Sequence, residues 1–282
     1  MTNAIEVINV SKKYQEFTLD NVSFQLPCGC IMGLIGENGA GKSTTIKLIL
    51  DLIRKDSGEI FVMGNEPVKS SKRGKEDIGV VMDECCFPEN LTLKDINKIM
   101  SYTYLNWSEE TFLKFAGQFS LSEKKQVKDY SRGMKMKLSI AAALSHTPKL
   151  LILDEATSGL DPIVRDEILD VFLEFIQNDD HSILISSHII SDLEKICDYI
   201  TFIHRGKLVF SESKDKLLEK YGLLKCSVEQ FDALDKAAVK GFRKNSFGVE
   251  ALVLKDKIRG DALIDRATME EIMLYHIKEG VR

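Results

Sequence analysis

The 282-residue chain has little of several things. It holds one tryptophan and five prolines. Its longest stretch without a charged side chain, Asn21 to Gly36, is 16 residues and contains Pro27 and three glycines. A membrane-spanning helix needs about 18 or more apolar residues, so no spanning segment is expected. The opening MTNAIEVINVSKKY carries no long apolar core and no cleavage signal, which argues against a secreted precursor. Basic excess is also lacking. Against 38 Lys and Arg stand 43 Asp and Glu, a formal net charge of −5. Dedicated nucleic-acid binders usually carry the opposite balance, so no nucleic-acid partner is expected. The six cysteines, Cys28, Cys30, Cys85, Cys86, Cys197 and Cys226, lack zinc-knuckle spacing and have no histidine at ligand distance in sequence. They read as reduced thiols.

What is present suits a globular chain: 44% hydrophobic and 29% charged residues, enough to bury a core. Ile5, Val7 and Val10, then Leu19, Val22, Phe24 and Leu26, alternate and predict two antiparallel strands. Ile31 to Ile35 is a continuous apolar run, as in a strand buried on both faces. A glycine loop follows, then helical spacing from Thr44 to Ile53. Strand, loop and helix open a parallel α/β unit. Further strands are predicted at 59–63, 78–82, 150–153, 183–186, 199–203 and 208–210. Residues from about 84 to 146 read as helix, with Thr92 and Ser108 as N-caps and a helix from Met134 to Leu144. From about 213 a small α+β unit is predicted, with helices at 214–220 and 230–237, strands at 224–228 and 249–254, and a last helix opened by a Thr268-x-x-Glu271 capping box.

Three segments carry chemistry. Gly36-Glu37-Asn38-Gly39-Ala40-Gly41-Lys42-Ser43, followed by Thr44, fits G-x-x-x-x-G-K-[ST]. Its glycines let backbone N–H groups curl around a phosphate, Lys42 can reach the β- and γ-phosphates, and the Ser43 hydroxyl can bind Mg²⁺. Leu150 to Leu153 lead into Asp154-Glu155, two carboxylates at a strand end. Alone, that pair reads equally well as a helix cap. Below a phosphate loop it reads as a Mg²⁺ ligand (Asp154) and a general base for water (Glu155). Third, Tyr130-Ser131-Arg132-Gly133-Met134-Lys135 precedes the apolar Leu138 to Leu144.

This third segment resembles the signature motif of ABC ATPases, L-S-G-G-Q. Ser131 and Gly133 match, while Tyr130, Arg132 and Met134 depart. Ser158-Gly159-Leu160-Asp161 resembles the D-loop, and Ser186-Ser187-His188 resembles the switch histidine. Tyr14 resembles the aromatic that stacks on adenine. Six motifs in family order lie within residues 5–210.

The resemblance implies an α/β P-loop NTPase fold: a RecA-like core, an antiparallel β subdomain, a helical subdomain at about 84–146 and a small C-terminal α+β domain. It divides the chain into an ATPase domain, 1–212, and an accessory or regulatory domain, 213–282. It implies ATP and Mg²⁺ as bound groups, with Ser131, Gly133 and Asp161 facing the nucleotide of a second copy in an ATP-sandwich homodimer. His188 would position water and γ-phosphate. After 78–82 the family usually has a metal-touching glutamine; here Asp83 stands there, a shorter and charged replacement. Cys85 to Thr92 would line a groove for a separate integral membrane subunit, so the chain is expected at the cytoplasmic, inner face of the cell membrane. Arg132, Lys135 and Lys137 would add positive charge to the signature helix. The motif forms resemble exporters of peptides, antibiotics or toxins more than importers, with exporters of amphipathic phenol-soluble-modulin-like peptides as one such branch. The alternative is a soluble non-transport ABC ATPase acting on nucleic acid, the ribosome or cofactor assembly, which the single ATPase unit and the net charge of −5 disfavour.

Overall fold

The computed structural model describes residues 2–66, 72–246, 248–258 and 263–277. Nine strands form the main sheet. In chain order these are β1 (Asn3–Lys13), β2 (Thr18–Pro27), β3 (Ile31–Ile35), β4 (Ser57–Val62), β5 (Ile78–Val81), β6 (Leu150–Asp154), β7 (Ser182–Ser187), β8 (Tyr199–His204) and β9 (Lys207–Ser213). Their spatial order is β4-β1-β2-β9-β8-β3-β7-β6-β5. β1, β2 and β4 pair antiparallel, whereas β8, β3, β7, β6 and β5 run parallel.

The parallel strands are buried on both faces, and period-two alternation sends their side chains to two layers. In β6, Leu150 and Ile152 pack with Met32, Leu34 and Ile46, while Leu151 and Leu153 pack with Ile35, Ile140 and Phe172 on the other side. The first layer is closed by α1 (Lys42–Ile49) and the second by α5 (Arg132–Leu144), α6 (Pro162–Phe175) and α7 (Ile190–Ile196). The short α2 (Lys72–Glu76) precedes β5.

Between β5 and β6 lie α3 (Leu93–Thr103), α4 (Glu109–Gln118) and α5, the helical block expected there. Thr92 caps α3 in a reciprocal box with Asp95, and Ser108 caps α4 through Thr111 N.

A second, antiparallel sheet follows, built from β10 (Tyr221–Cys226), β11 (Val239–Asn245), β12 (Gly248–Leu254) and β13 (Ile264–Arg266) in the order β11-β12-β10-β13. Helices α8 (Lys214–Lys220), α9 (Val228–Asp232) and α10 (Met269–Ile277) flank it. Leu223, Leu252 and Leu254 share one apolar cluster with Leu193 and Ile196 of α7 and with Ile272 of α10. The opposite face, Leu224, Ala251 and Val253, is covered by Phe231 of α9. The Thr268–Glu271 box is formed, with Glu271 N to Thr268 Oγ1 at 3.2 Å and Thr268 N to Glu271 Oε2 at 2.8 Å.

Several boundaries differ from the sequence expectation. Helix α1 stops at Ile49 rather than Ile53, because Asp51 turns into the left-handed region at φ 55°. The expected strand at 224–228 ends at Cys226, and α9 starts at Val228 because Ser227 caps it with Gln230. That helix then ends at Asp232, and Asp235 caps a separate 3₁₀ turn, Lys236–Ala238. Among the described residues, no helix is long and apolar enough to cross a membrane.

Candidate active site

Parallel strands deliver their carboxyl ends to one edge of the sheet, where open α/β folds bind ligands. Here that edge collects Gly36 after β3, Asp83 after β5, Glu155 after β6 and His188 after β7. Gly36 has no room for a side chain: an added Cβ would lie 2.5 Å from the carbonyl of Ile203. Gly41 has φ 117° and abuts Leu19 and Phe17, so the loop bends sharply against β2 and its preceding turn. Asn38 and Gly39 are exposed at the loop tip, while Ala40 is buried and Thr44 half-buried. The loop ends at the N-terminus of α1, where free N–H groups and the helix dipole favour an anion.

A polar cluster fills the site, with Lys42, Asp154 and Ser186 buried, Ser43 and Glu155 half-buried and His188 exposed at its mouth. Lys42 is 5% exposed, and its ammonium donates to the carbonyls of Gly36 (2.8 Å) and Glu37 (3.3 Å). It also lies 3.1 Å from Glu155 Oε1. The other Glu155 oxygen, Oε2, meets His188 Nδ1 at 2.7 Å. The Ser43 hydroxyl donates to Asp154 Oδ1 at 3.2 Å, and the Ser186 hydroxyl donates to the same oxygen at 2.6 Å. Glu155 itself sits in the left-handed region at φ 53°, a conformation that costs a non-glycine residue about 1–2 kcal/mol. Its N–H is held twice by Ser186, by the carbonyl (3.1 Å) and by the hydroxyl (3.0 Å). Thr45, also buried, ties its hydroxyl to the carbonyl of Gly41 at 2.9 Å. So Lys42, Ser43, Asp154, Glu155 and His188 are one bonded group.

The remaining expected site residues stand outside that group. Tyr14 is exposed just after β1; its N–H bonds the carbonyl of Phe17, whose ring touches the Gly41 bend. Lys12 lies 5.6 Å from the Tyr14 ring centroid and is held by Asp56 at 2.9 Å. Asp56 also accepts from Lys13 N, and these bonds pull its carboxyl below the usual range. Ser131 caps α5 by accepting from Met134 N. Helix α5 therefore starts two residues earlier than expected and carries Gly133 within its first turn. Asp161 caps α6, accepting from the N–H groups of Ile163 and Val164.

Asp83 and Arg132 find each other. Arg132 Nη2 lies 2.9 Å from Asp83 Oδ1, and its guanidinium covers Gly159, where an added Cβ would lie 2.7 Å from Nη1. The positive charge expected along the signature helix is met within the chain: Arg132 pairs with Asp83, Lys135 with Glu89 and Lys137 with Glu167. Neighbouring carboxylates thus offset three cations whose location near a helix start is unfavourable.

A strand–loop–helix with a buried lysine thus stands against two carboxylates, Asp154 and Glu155, at the end of β6, two strands over from β3. The ABC transporter family model matches residues 19–158. The chain is 40% identical over 214 residues to the lantibiotic transport ATP-binding protein SrtF of Streptococcus pyogenes, across 75% of this chain and 91% of that one. The chain belongs to the ABC transporter family. As an ABC ATPase it binds ATP and hydrolyses it. It is also 38% identical over 214 residues to the bacitracin transport ATP-binding protein BcrA of Bacillus licheniformis, across 74% of this chain and 69% of the relative. A solved ATP-binding subunit of an ABC transporter superposes on this ABC ATPase with a TM-score of 0.69 at 29% identity, covering 77% of this chain and 92% of the other.

Sequence reasoning missed two features. In the sequence Ser186 stands only as a neighbour of His188; the available signal was a serine at the end of the apolar run 183–185, and its pairing with Asp154 needed the sheet order. The Asp83–Arg132 pair joins two positions that each depart from the family pattern with opposite charges, which was also visible.

Proposed function

We propose that this ABC ATPase works as a homodimer closing on two ATP molecules, and that it powers export of a peptide antibiotic or similar amphipathic compound through a separate membrane subunit. The observation that carries the hydrolytic part is the Lys42–Glu155–His188 chain beside the Ser43–Asp154 pair. Export cargo is suggested by the two relatives, a lantibiotic and a bacitracin transport protein.

In this reading the backbone N–H groups of 36–44 and the Lys42 ammonium bind the phosphates, and Tyr14 stacks on adenine. Lys42 turning to a γ-phosphate releases Glu155 Oε1, which then accepts a proton from water. His188 keeps Nδ1 on Glu155, and its Nε2 is the nitrogen that can face the γ-phosphate. Ser43 Oγ and Asp154 are hard oxygen donors that suit Mg²⁺, and both hydrogen bonds to Asp154 end on Oδ1. Ser43 and Asp154 are therefore the residues that would hold Mg²⁺ in this reading. Mg²⁺ there would neutralise charge on the transferred phosphoryl group. Ser131, Gly133 and Asp161 serve the nucleotide bound to the second copy, and Asp83 is an exchangeable metal neighbour.

Residues 1–212 form the ATPase domain and 213–282 an accessory domain. The membrane subunit docks on the helical block. A cavity of about 190 Å³ there is lined by Val80, Met82, Phe87, Met100, Tyr104 and His146, and the exposed Ile99, Tyr102 and Leu105 belong to the same block. The protein would thus sit at the inner face of the membrane. Glu155→Gln tests the site: it should bind ATP, hydrolyse it at least about 100-fold more slowly, and accumulate as a dimer by light scattering. Normal turnover would refute the base assignment.

A further inference from the structure

We propose that Ser186 is a positioning residue for ATP hydrolysis: its hydroxyl joins the Asp154 carboxylate to the Glu155 backbone and holds both in working geometry. The inference rests on the roles given above to Asp154 and Glu155.

Ser186 lies on β7, in register between Leu34 of β3 and Asp154 of β6. It shares the strand face of Leu184, which packs in the apolar layer with Leu34 and Ile152. An apolar residue would suit that face, and a buried hydroxyl there is costly unless its hydrogen bonds are met. The side chain is fully buried and its bonds are met on both sides. It donates to Asp154 Oδ1 at 2.6 Å and accepts from Glu155 N at 3.0 Å. The donor bond is short, as expected when the acceptor is a carboxylate.

The second partner explains why this bridge matters. Asp154 Oδ1 also accepts from Ser43, but a Ser43 oxygen that ligates a metal must reorient its proton. The Ser186 bond can persist through that exchange, since Ser186 faces Asp154 from the neighbouring strand rather than from the phosphate loop. On its other side it anchors the amide of a residue in a strained left-handed conformation, and the direction of the Glu155 side chain follows from that conformation. The hydroxyl therefore orients one carboxylate directly and, together with the Ser186 carbonyl, holds the backbone that orients the next.

Kinetics on the full chain test this. Ser186→Ala should lower kcat about tenfold or more and raise the Mg²⁺ concentration for half-maximal activity about fivefold. Affinity for a fluorescent ATP analogue in EDTA should stay within about twofold, since the phosphate loop is untouched. Ser186→Thr, which keeps the hydroxyl, should retain kcat within about threefold. Ala kinetics like wild type would overturn the proposal, and so would equal loss in Ala and Thr, which marks a packing effect only. Where Ser186→Ala fails to fold, Ser186→Cys keeps the volume with a weak donor; it should show the same kinetic defect, and wild-type kinetics there would overturn the proposal. Glu155→Gln run in parallel separates the two readings. Normal turnover in that variant sinks the site assignment, whereas an inactive Glu155→Gln beside a normal Ser186→Ala sinks this inference alone.

Discussion

The nucleotide edge of the main sheet and the start of helix α5 both carry opposite charges in contact, yet they are built differently. Lys42 is buried and Glu155 half-buried, with side-chain exposures of 6% and 13%, and each makes further polar contacts. Arg132 and Asp83 are open, at 56% and 51%, and are joined by one ion pair. Buried charges must be paired and hydrogen-bonded to persist, so the first cluster has few arrangements available. An exposed pair contributes about 0–1 kcal/mol and can exchange partners. The contrast suits the proposed division of labour. In that proposal, phosphate binding and water activation belong to the less exposed cluster of one chain, and the open signature segment meets a second copy.

The severest challenge to that contrast is Lys42→Ala. It removes the cation proposed to meet the phosphates, which here bonds the carbonyls of Gly36 and Glu37, and leaves the half-buried Glu155 without its ion-pair partner. ATP affinity by calorimetry should fall about 100-fold, and unchanged affinity would remove the phosphate-loop assignment. On the open side, Arg132→Ala should change ATPase activity by no more than about fivefold. High monovalent salt should move the wild type toward the variant, because exposed pairs are screened. A loss comparable to that of Lys42→Ala would erase the distinction between the two regions.

A smaller effect probes the opposite edge of the sheet, where the parallel strands begin. His146, at the end of α5, is buried, stacks on Tyr104 with ring centroids 4.1 Å apart and donates from Nδ1 to the Glu76 carbonyl. Burial, the largest cause, pushes its pKa below the ordinary 6.5. The unfolded chain therefore takes up this proton first as pH falls below 6.5, and the folded state loses stability in that window until its own depressed value is passed. The slope from one such group is at most about 1.4 kcal/mol per pH unit. Melting temperatures of wild type should drop between pH 7 and 5.5, and His146→Gln should flatten that part of the decline. Equal slopes would show that His146 does not titrate on unfolding.

The phosphate loop was legible because its requirements are local. Glycines at 36, 39 and 41, a lysine and a serine must follow one another on a strand–loop–helix, and such demands leave a linear trace. The strands of the parallel sheet were legible for a similar reason, since burial on both faces removes polar residues from short runs such as Leu150 to Leu153. Element ends were less so. Asp51, Ser227 and Asp235 stop or start helices through caps and left-handed turns that compete with equally plausible continuations. Strands β11 and β13 escaped notice because Lys240, Arg243 and Lys244 dilute one, and the other is three residues long.

Sequence alone pointed to an ABC ATPase and singled out the glycine loop 36–43, the Asp154-Glu155 strand end and His188 as its site candidates. Those properties depend on residue type in a fixed local order. Only the tertiary structure decided which of these residues touch. Parallel register set Ser186 beside Asp154, and the return of the chain to the sheet edge put Glu155 between Lys42 and His188. Contact between residues more than a hundred positions apart, such as Ser43 and Asp154, depends on sheet order, which no local pattern encodes.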